Sequence, residues 1–95
     1  MKMHLTYNLK HRIANLNSEE LGELAAAHGN EELLKTYYET QNFELVSKAL
    51  GLEENFNAYK AACRTPDGRL HPKFVELRTD YAYFLLAHIC VPDEL

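Results

Sequence analysis

The C-terminal part of the chain carries the pattern that most limits its fold. Large apolar residues and one histidine recur there at steps of mostly three and four, the spacing of one helix face: Phe74, Leu77, Tyr81, Phe84, Leu85, His88 and Ile89. Pro72 stands in what would be the first turn, where proline is favoured. We predict a helix over residues 72–90, and roughly 19 residues give a rod of about 28 Å. Shorter elements are expected to pack on this rod.

The residues before Pro72 predict short helices separated by capping residues and glycines. The expected helices cover residues 3–16, 17–29, 31–41, 43–50 and 53 to the turn signal TPDG at 65–68. Asparagine stands at the start of three of them, at Asn17, Asn30 and Asn42, where its side chain can accept from a free amide. Gly29 and Gly51 supply the left-handed residue that commonly ends a helix.

The second of these helices carries two further local signals. Glu20 can complete a capping box with Asn17. Gly22 lies inside the helix and lowers its propensity by about 1 kcal/mol relative to alanine. We therefore expect Gly22 to mark the close approach of another helix.

Strand signals are weak throughout. No segment shows sustained alternation of apolar and polar residues with β-branched enrichment. Residues 69–77, RLHPKFVEL, leave an edge strand open as an alternative to helix. The sequence predicts an all-α fold, a compact bundle of five or six short helices packed on a long C-terminal helix of residues 72–90. At this length we expect residues 1–95 to form a single domain.

Charge is unevenly distributed along the chain. Residues 19–54 carry nine carboxylates and two lysines, a local charge of −7 in a chain of net charge −4, whereas residues 1–18 carry +3 and residues 55–95 are balanced. Phosphate contacts depend on cations, so the middle of the chain is a poor phosphate binder. An acidic surface of this kind favours solubility or a basic partner.

Two features bear on the compartment. The longest apolar run, residues 81–91, is about half of the roughly 20 residues that a membrane span needs. The first residues, MKMHLTYNLKHR, lack the apolar stretch and the cleavage site of a secretory signal. We therefore expect a cytoplasmic protein without membrane contact.

Cys63 and Cys90 could pair, but two cysteines in a chain that can build a core are more often buried, reduced thiols.

Residues 43–64, FELVSKALGLEENFNAYKAACR, resemble a DNA-binding helix-turn-helix in their first half. Val46, Leu50, Gly51 and Leu52 take the apolar, apolar, glycine and apolar places of that motif. The resemblance ends at the aliphatic place six residues after the glycine, which is Asn57.

The start of the would-be reading helix of that segment carries Glu53, Glu54 and Asn55, and we expect these to be exposed. A DNA-binding regulator remains the alternative, with Lys48, Lys60 and Arg64 on phosphates.

The same glycine-and-glutamate pattern occurs 22 positions earlier, around Gly29. We interpret the two copies as helix-glycine-helix corners built from the same capping chemistry.

Metal and catalytic patterns are weak. Five histidines and two cysteines are present, but the only closely spaced pair, His88 and Cys90, points to different sides of a helix, so we expect no metal site. His88 is expected to bond a carbonyl or a hydroxyl. The sequence has no G-x-S-x-G, P-loop or H-E-x-x-H motif, and the paired glutamates at helix starts are explained by the helix dipole. We predict no enzymatic activity and no cofactor.

Tyrosines remain as candidates for contact. The chain has six tyrosines and four phenylalanines but no tryptophan, and at least one of Tyr37 and Tyr38 should face away from the core, as should one of Tyr81 and Tyr83. Exposed tyrosines among glutamates suit a protein–protein contact. The sequence predicts a small interaction domain, an inhibitor or regulator that blocks a basic or nucleic-acid-binding site on a partner, as small phage-encoded inhibitors of similar size and charge do. The expected contact residues are Glu31, Glu32, Tyr37, Tyr38, Glu39, Glu53 and Glu54.

Overall fold

Six α-helices follow one another in the computed structural model, which describes residues 5–95. They are α1 (Tyr7–Asn15), α2 (Ser18–Ala27), α3 (Glu31–Thr40), α4 (Phe43–Ala49), α5 (Glu53–Ala62) and α6 (Phe74–Cys90), followed by a 3-10 turn at Pro92–Glu94. The predicted all-α bundle on a long C-terminal helix is confirmed. The first helix begins at Tyr7, capped by the Thr6 hydroxyl, and its predicted start near residue 3 lies outside the described residues.

The long helix α6 begins two residues after Pro72 and is the centre of the packing. It contacts all five other helices. Its second half is almost entirely enclosed, and the fully buried residues there are Tyr81, Leu85, Ala87, Ile89 and Cys90. Ile13 of α1, Ala25 of α2, Leu34 of α3 and Val46 of α4 complete the same core. No helix in the described part of the chain is both long and apolar enough to cross a membrane.

Two identical corners turn the chain between helices. After α2, Gly29 takes φ +73°, its amide donates to Ala26 O, and the Asn30 amide donates to Ala25 O at 2.7 Å. After α4, Gly51 also takes φ +73°, with the corresponding bonds to Lys48 O and from the Leu52 amide to Ser47 O. Both are Schellman motifs, whose last residue is at once the residue before the next helix. This shared geometry explains why the glycine-and-glutamate pattern occurs twice, 22 residues apart.

The predicted asparagine caps form in two of three places. Asn17 accepts from Glu20 N at 2.8 Å and makes the full capping box, and Asn42 accepts from Leu45 N. The prediction for Asn30 is wrong, because its side chain makes no cap. Its Nδ2 instead donates to Ile89 O at 2.9 Å. That carbonyl is one of the last four of α6, which have no partner within their own helix.

The alternative left open at residues 69–77 is resolved, and two further expectations are wrong. Residues 69–77 form no strand, since a single bridge between Arg64 and Leu70 closes the TPDG turn and α6 begins at Phe74. In α4, the spacing of Phe43, Val46, Ala49 and Leu50 predicts one inner side, but Ala49 is exposed and Ser47 is buried. In α5, the expected exposure of Asn55 is wrong, because only 9% of its surface is exposed. Both polar residues lie on the inner faces of their helices.

The expectation that Gly22 marks a close helix approach is also wrong. A methyl group added at Gly22 would meet no atom within 4 Å, and the residue is helical. Gly22→Ala is therefore expected to raise the free energy of unfolding by about 1 kcal/mol, by helix propensity alone. Urea denaturation measures this difference.

The control for Gly22→Ala is Gly29→Ala. Gly29 has equally open surroundings but a φ of +73°. Alanine there is expected to lower stability by about 1–2 kcal/mol, because the left-handed conformation crowds its side chain. A loss of stability at Gly22 would contradict the open packing.

Candidate functional site

The outward face of α3 carries most of the predicted contact residues. Glu31, Glu32, Lys35, Tyr38 and Glu39 are all exposed, and their spacing places them on one side of the helix. The opposite side is anchored by buried Leu34. We call these five residues the α3 outer face. Its two ends differ in chemistry, with carboxylates at the first turn and an exposed tyrosine at the last.

Glu53 and Glu54 lie at the start of α5 and are also exposed. Both this start and the start of α3 lie near the end of α6. Asn30, just before α3, bonds Ile89 O, and Leu52, just before α5, lines a cleft together with His88. Both glutamate pairs therefore lie near the C-terminal end of α6.

Most of these carboxylates have no cationic neighbour. Among residues 5–95, the acids of the segment 19–54 form one ion pair, between Glu53 and Lys48 at 3.8 Å. Within the same described residues, none of them lies within 4 Å of the cations of the second half of the chain: Lys60, Arg64, Arg69, Lys73 and Arg78. The negative charge of this segment is therefore presented to solvent.

Tyr37 and Tyr38 lie apart from the glutamate pairs. Tyr38 is 44% exposed, whereas Tyr37 is half-buried and stacks on Phe43 with 6.3 Å between ring centroids. Burial raises the pKa of both phenols. Tyr38 is seven residues from Glu31, about 10 Å along the helix. The prediction that one tyrosine of this pair faces outward is confirmed.

An aromatic groove lies beside the two tyrosines. It has a volume of about 530 Å³ and runs along α3 and along α6 from Phe74 to Leu86, with Val75 and Tyr83 among its lining residues. Val75 is 72% exposed. The sequence did not single out this groove, because it depends on how α3 crosses α6 and on no local motif.

The helix-turn-helix segment forms two consecutive helices, α4 and α5, joined by the Gly51 corner. The residues at the start of α5 differ from those of a DNA reader. Glu53 and Glu54 are exposed there, Asn55 is buried, and Lys48 faces Glu53. This end of α5 would bring carboxylates toward phosphate, although Lys60 and Arg64 farther along are exposed.

The cysteines and His88 occupy structural positions. Cys63 and Cys90 are both buried free thiols, as expected. Burial raises the pKa of Cys90 to about 11, so little thiolate forms there at neutral pH. His88 Nδ1 bonds Phe84 O at 2.8 Å, which confirms the expected carbonyl contact. Within residues 5–95, no three potential metal ligands cluster.

A second cleft lies between α1, α5 and the end of α6, and the sequence did not predict a site there. Its volume is about 540 Å³, and Asn55, His88 and Arg12 are among its lining residues. A signal for Asn55 was present, because Leu52, Asn55, Tyr59 and Cys63 follow one another at steps of three and four. We call this space the α1–α5 cleft.

Comparisons with known proteins give no relative. No family model matches the chain, and neither the curated proteins nor the solved structures contain a significant match.

Proposed function

We propose that this protein works by binding another protein that presents a basic surface. The contact is made by the α3 outer face together with Glu53 and Glu54. The observation that carries the proposal is the exposure of these carboxylates without cationic partners, apart from the one pair with Lys48. An unpaired carboxylate keeps its charge available to a partner, whereas a paired one must first break its own ion pair.

Tyr38 adds an aromatic contact to the charged contacts of this face. Tyrosine buries a large area with few rotatable bonds, and such residues often supply most of the binding energy at protein contacts. The glutamates of the same face steer a cationic surface toward the contact and lower the affinity for acidic or nucleic-acid surfaces. A partner whose basic patch binds nucleic acid would be blocked when this face covers it, which is the action of an inhibitor or regulator.

A charge-reversal pair tests the proposal. The tagged protein is expected to retain basic proteins from a lysate of its own source at low salt and to release them as salt is raised. Glu31→Lys combined with Glu32→Lys is expected to weaken retention at least about tenfold, because two attractions become repulsions. Quantitative mass spectrometry of the retained proteins measures the change.

The matched control is Glu19→Lys combined with Glu23→Lys. These residues are exposed on α2, outside the proposed contact, and the net charge changes by the same amount. The control is expected to retain the same proteins as the wild type. If both variants lost the bound proteins equally, the effect would come from the overall charge and not from the α3 outer face. If both retained these proteins as the wild type does, the α3 outer face would not be the contact.

A further inference from the structure

The α1–α5 cleft has apolar walls. Leu5 and Leu9 come from the N-terminal side, Leu52 from the corner before α5, and Phe84 from α6. A volume of about 540 Å³ lies within the usual range for small-molecule sites, about 300–1,000 Å³. Such sites combine apolar walls with a few polar groups that fix the orientation of the ligand.

Asn55 is the polar group that distinguishes this cleft from a packing gap. It is 9% exposed, and within residues 5–95 its side chain has no hydrogen-bond partner. Among the described residues, every fully enclosed side-chain nitrogen or oxygen has a partner. The Asn55 amide therefore keeps a small contact with the cleft that it lines. A mostly buried, unpartnered amide costs about 1–3 kcal/mol unless a ligand or water bonds it.

The other polar groups define the charge of the cleft. The Phe84 carbonyl can only accept, so His88 Nδ1 donates to it, and His88 Nε2, in the tautomer that this bond requires, is left as an acceptor. Arg12 is paired with Glu94 at the rim, and this hydrogen bond raises the pKa of Arg12. The cation is thus already neutralised. Besides the exposed Thr6 and Asn8, the cleft offers the buried Asn55 amide and the His88 acceptor, and no unpaired cation is among its lining residues in the described range 5–95.

We propose that the α1–α5 cleft binds a neutral, compact, mostly apolar small molecule that carries a carboxamide or lactam group. A primary carboxamide has N–H donors for both Asn55 Oδ1 and His88 Nε2, a lactam has one N–H for either of them, and both have a carbonyl that accepts from Asn55 Nδ2. A carboxylate can accept from Asn55 Nδ2 but lacks an N–H donor for Asn55 Oδ1 and His88 Nε2. The proposal is independent of the protein-binding face, which lies on other residues.

Three probes of one shape test this proposal: 1-naphthamide, the methyl ketone 1-acetonaphthone and the anion 1-naphthoate. In ¹H–¹⁵N NMR titrations, 1-naphthamide is expected to give saturable shifts at the Asn55 side-chain amide and at the backbone of Leu9, Leu52 and Phe84. The ketone lacks N–H donors and is expected to bind about tenfold more weakly. The anion is expected to bind more weakly still.

Two variants sharpen the result. Asn55→Leu keeps the volume but removes the amide, and it is expected to lose most of the tenfold preference for the amide over the ketone, because only His88 Nε2 then remains to accept from the ligand. Asn57→Leu, at an exposed position of the same helix, is expected to keep the tenfold preference. The comparison of probes on the unaltered protein is decisive even where Asn55→Leu does not fold.

Several results would overturn the proposal. These are the absence of saturable shifts with 1-naphthamide up to about 2 mM, a range that still detects very weak sites, equal binding of amide and ketone, and tighter binding of the anion. Shifts centred on the aromatic groove around Tyr37 would likewise assign the ligand to a different site.

Discussion

Tyr81→Ala is expected to lower the free energy of unfolding by about 3–5 kcal/mol, as for other large buried rings. Tyr81 is 1% exposed and lies at the centre of an aromatic cluster. The Tyr59 ring stacks on it at 4.4 Å between centroids, and the rings of Phe84 and Phe43 lie at 5.5 and 5.7 Å. Small domains have only about 5–15 kcal/mol in total, so the loss is a large share. Urea denaturation followed by circular dichroism measures it.

Variants of the Tyr81 hydroxyl and its partner measure the hydrogen bond of this residue separately from the packing of its ring. Its hydroxyl lies 2.7 Å from Ser47 Oγ in the buried interior. Tyr81→Phe and Ser47→Ala each leave one hydroxyl unpartnered and are expected to cost about 1–3 kcal/mol. The double variant removes both groups and should cost less than the sum of the two. Strict additivity would contradict a direct bond between these side chains.

Asn30→Ala is expected to lower the free energy of unfolding by about 1–3 kcal/mol, because it leaves Ile89 O without its donor at a partly buried position. Asn30→Asp separates this role from ordinary capping. Aspartate caps as well as asparagine does but cannot donate, so it is expected to lose stability at Asn30 as well. Thermal or urea unfolding measures both variants.

Asn42 provides the matched comparison for Asn30. It accepts from Leu45 N and makes a true cap. Asn42→Asp is therefore expected to change stability by less than about 0.5 kcal/mol, whereas Asn42→Ala costs about 1 kcal/mol. If aspartate were tolerated equally at Asn30 and Asn42, this would contradict a stabilising hydrogen bond from Asn30 Nδ2 to Ile89 O.

The contrast between these asparagines shows what the sequence could predict of the fold. Capping by Asn17 and Asn42 and the glycine corners depend on residues within one turn, and these predictions are confirmed. The Asn30 side chain instead bonds a carbonyl 59 residues away. Ser47 was missed for the same reason, since its partner is Tyr81, whereas Asn55 did have a local signal in its spacing from Leu52 and Tyr59. Distant partners leave no local signal.

The candidate contact residues show a similar limit. Their exposure was predictable, because helix starts with paired glutamates rarely face a core. Their arrangement was not, since it depends on which end of α6 each helix meets. The structure places the glutamate pairs near the end of α6 and Tyr37 beside its first half. The aromatic groove and the α1–α5 cleft also form only where helices from distant parts of the chain meet.

The central position of α6 has a consequence for synthesis on the ribosome. The five other helices all contact α6, yet they precede it in the chain. While the ribosome is still adding residues 74–90, the apolar sides of the earlier helices have no common surface to cover them. Nascent chains expose such surfaces to chaperones and to aggregation. The cooperative core therefore closes only after α6 has left the exit tunnel.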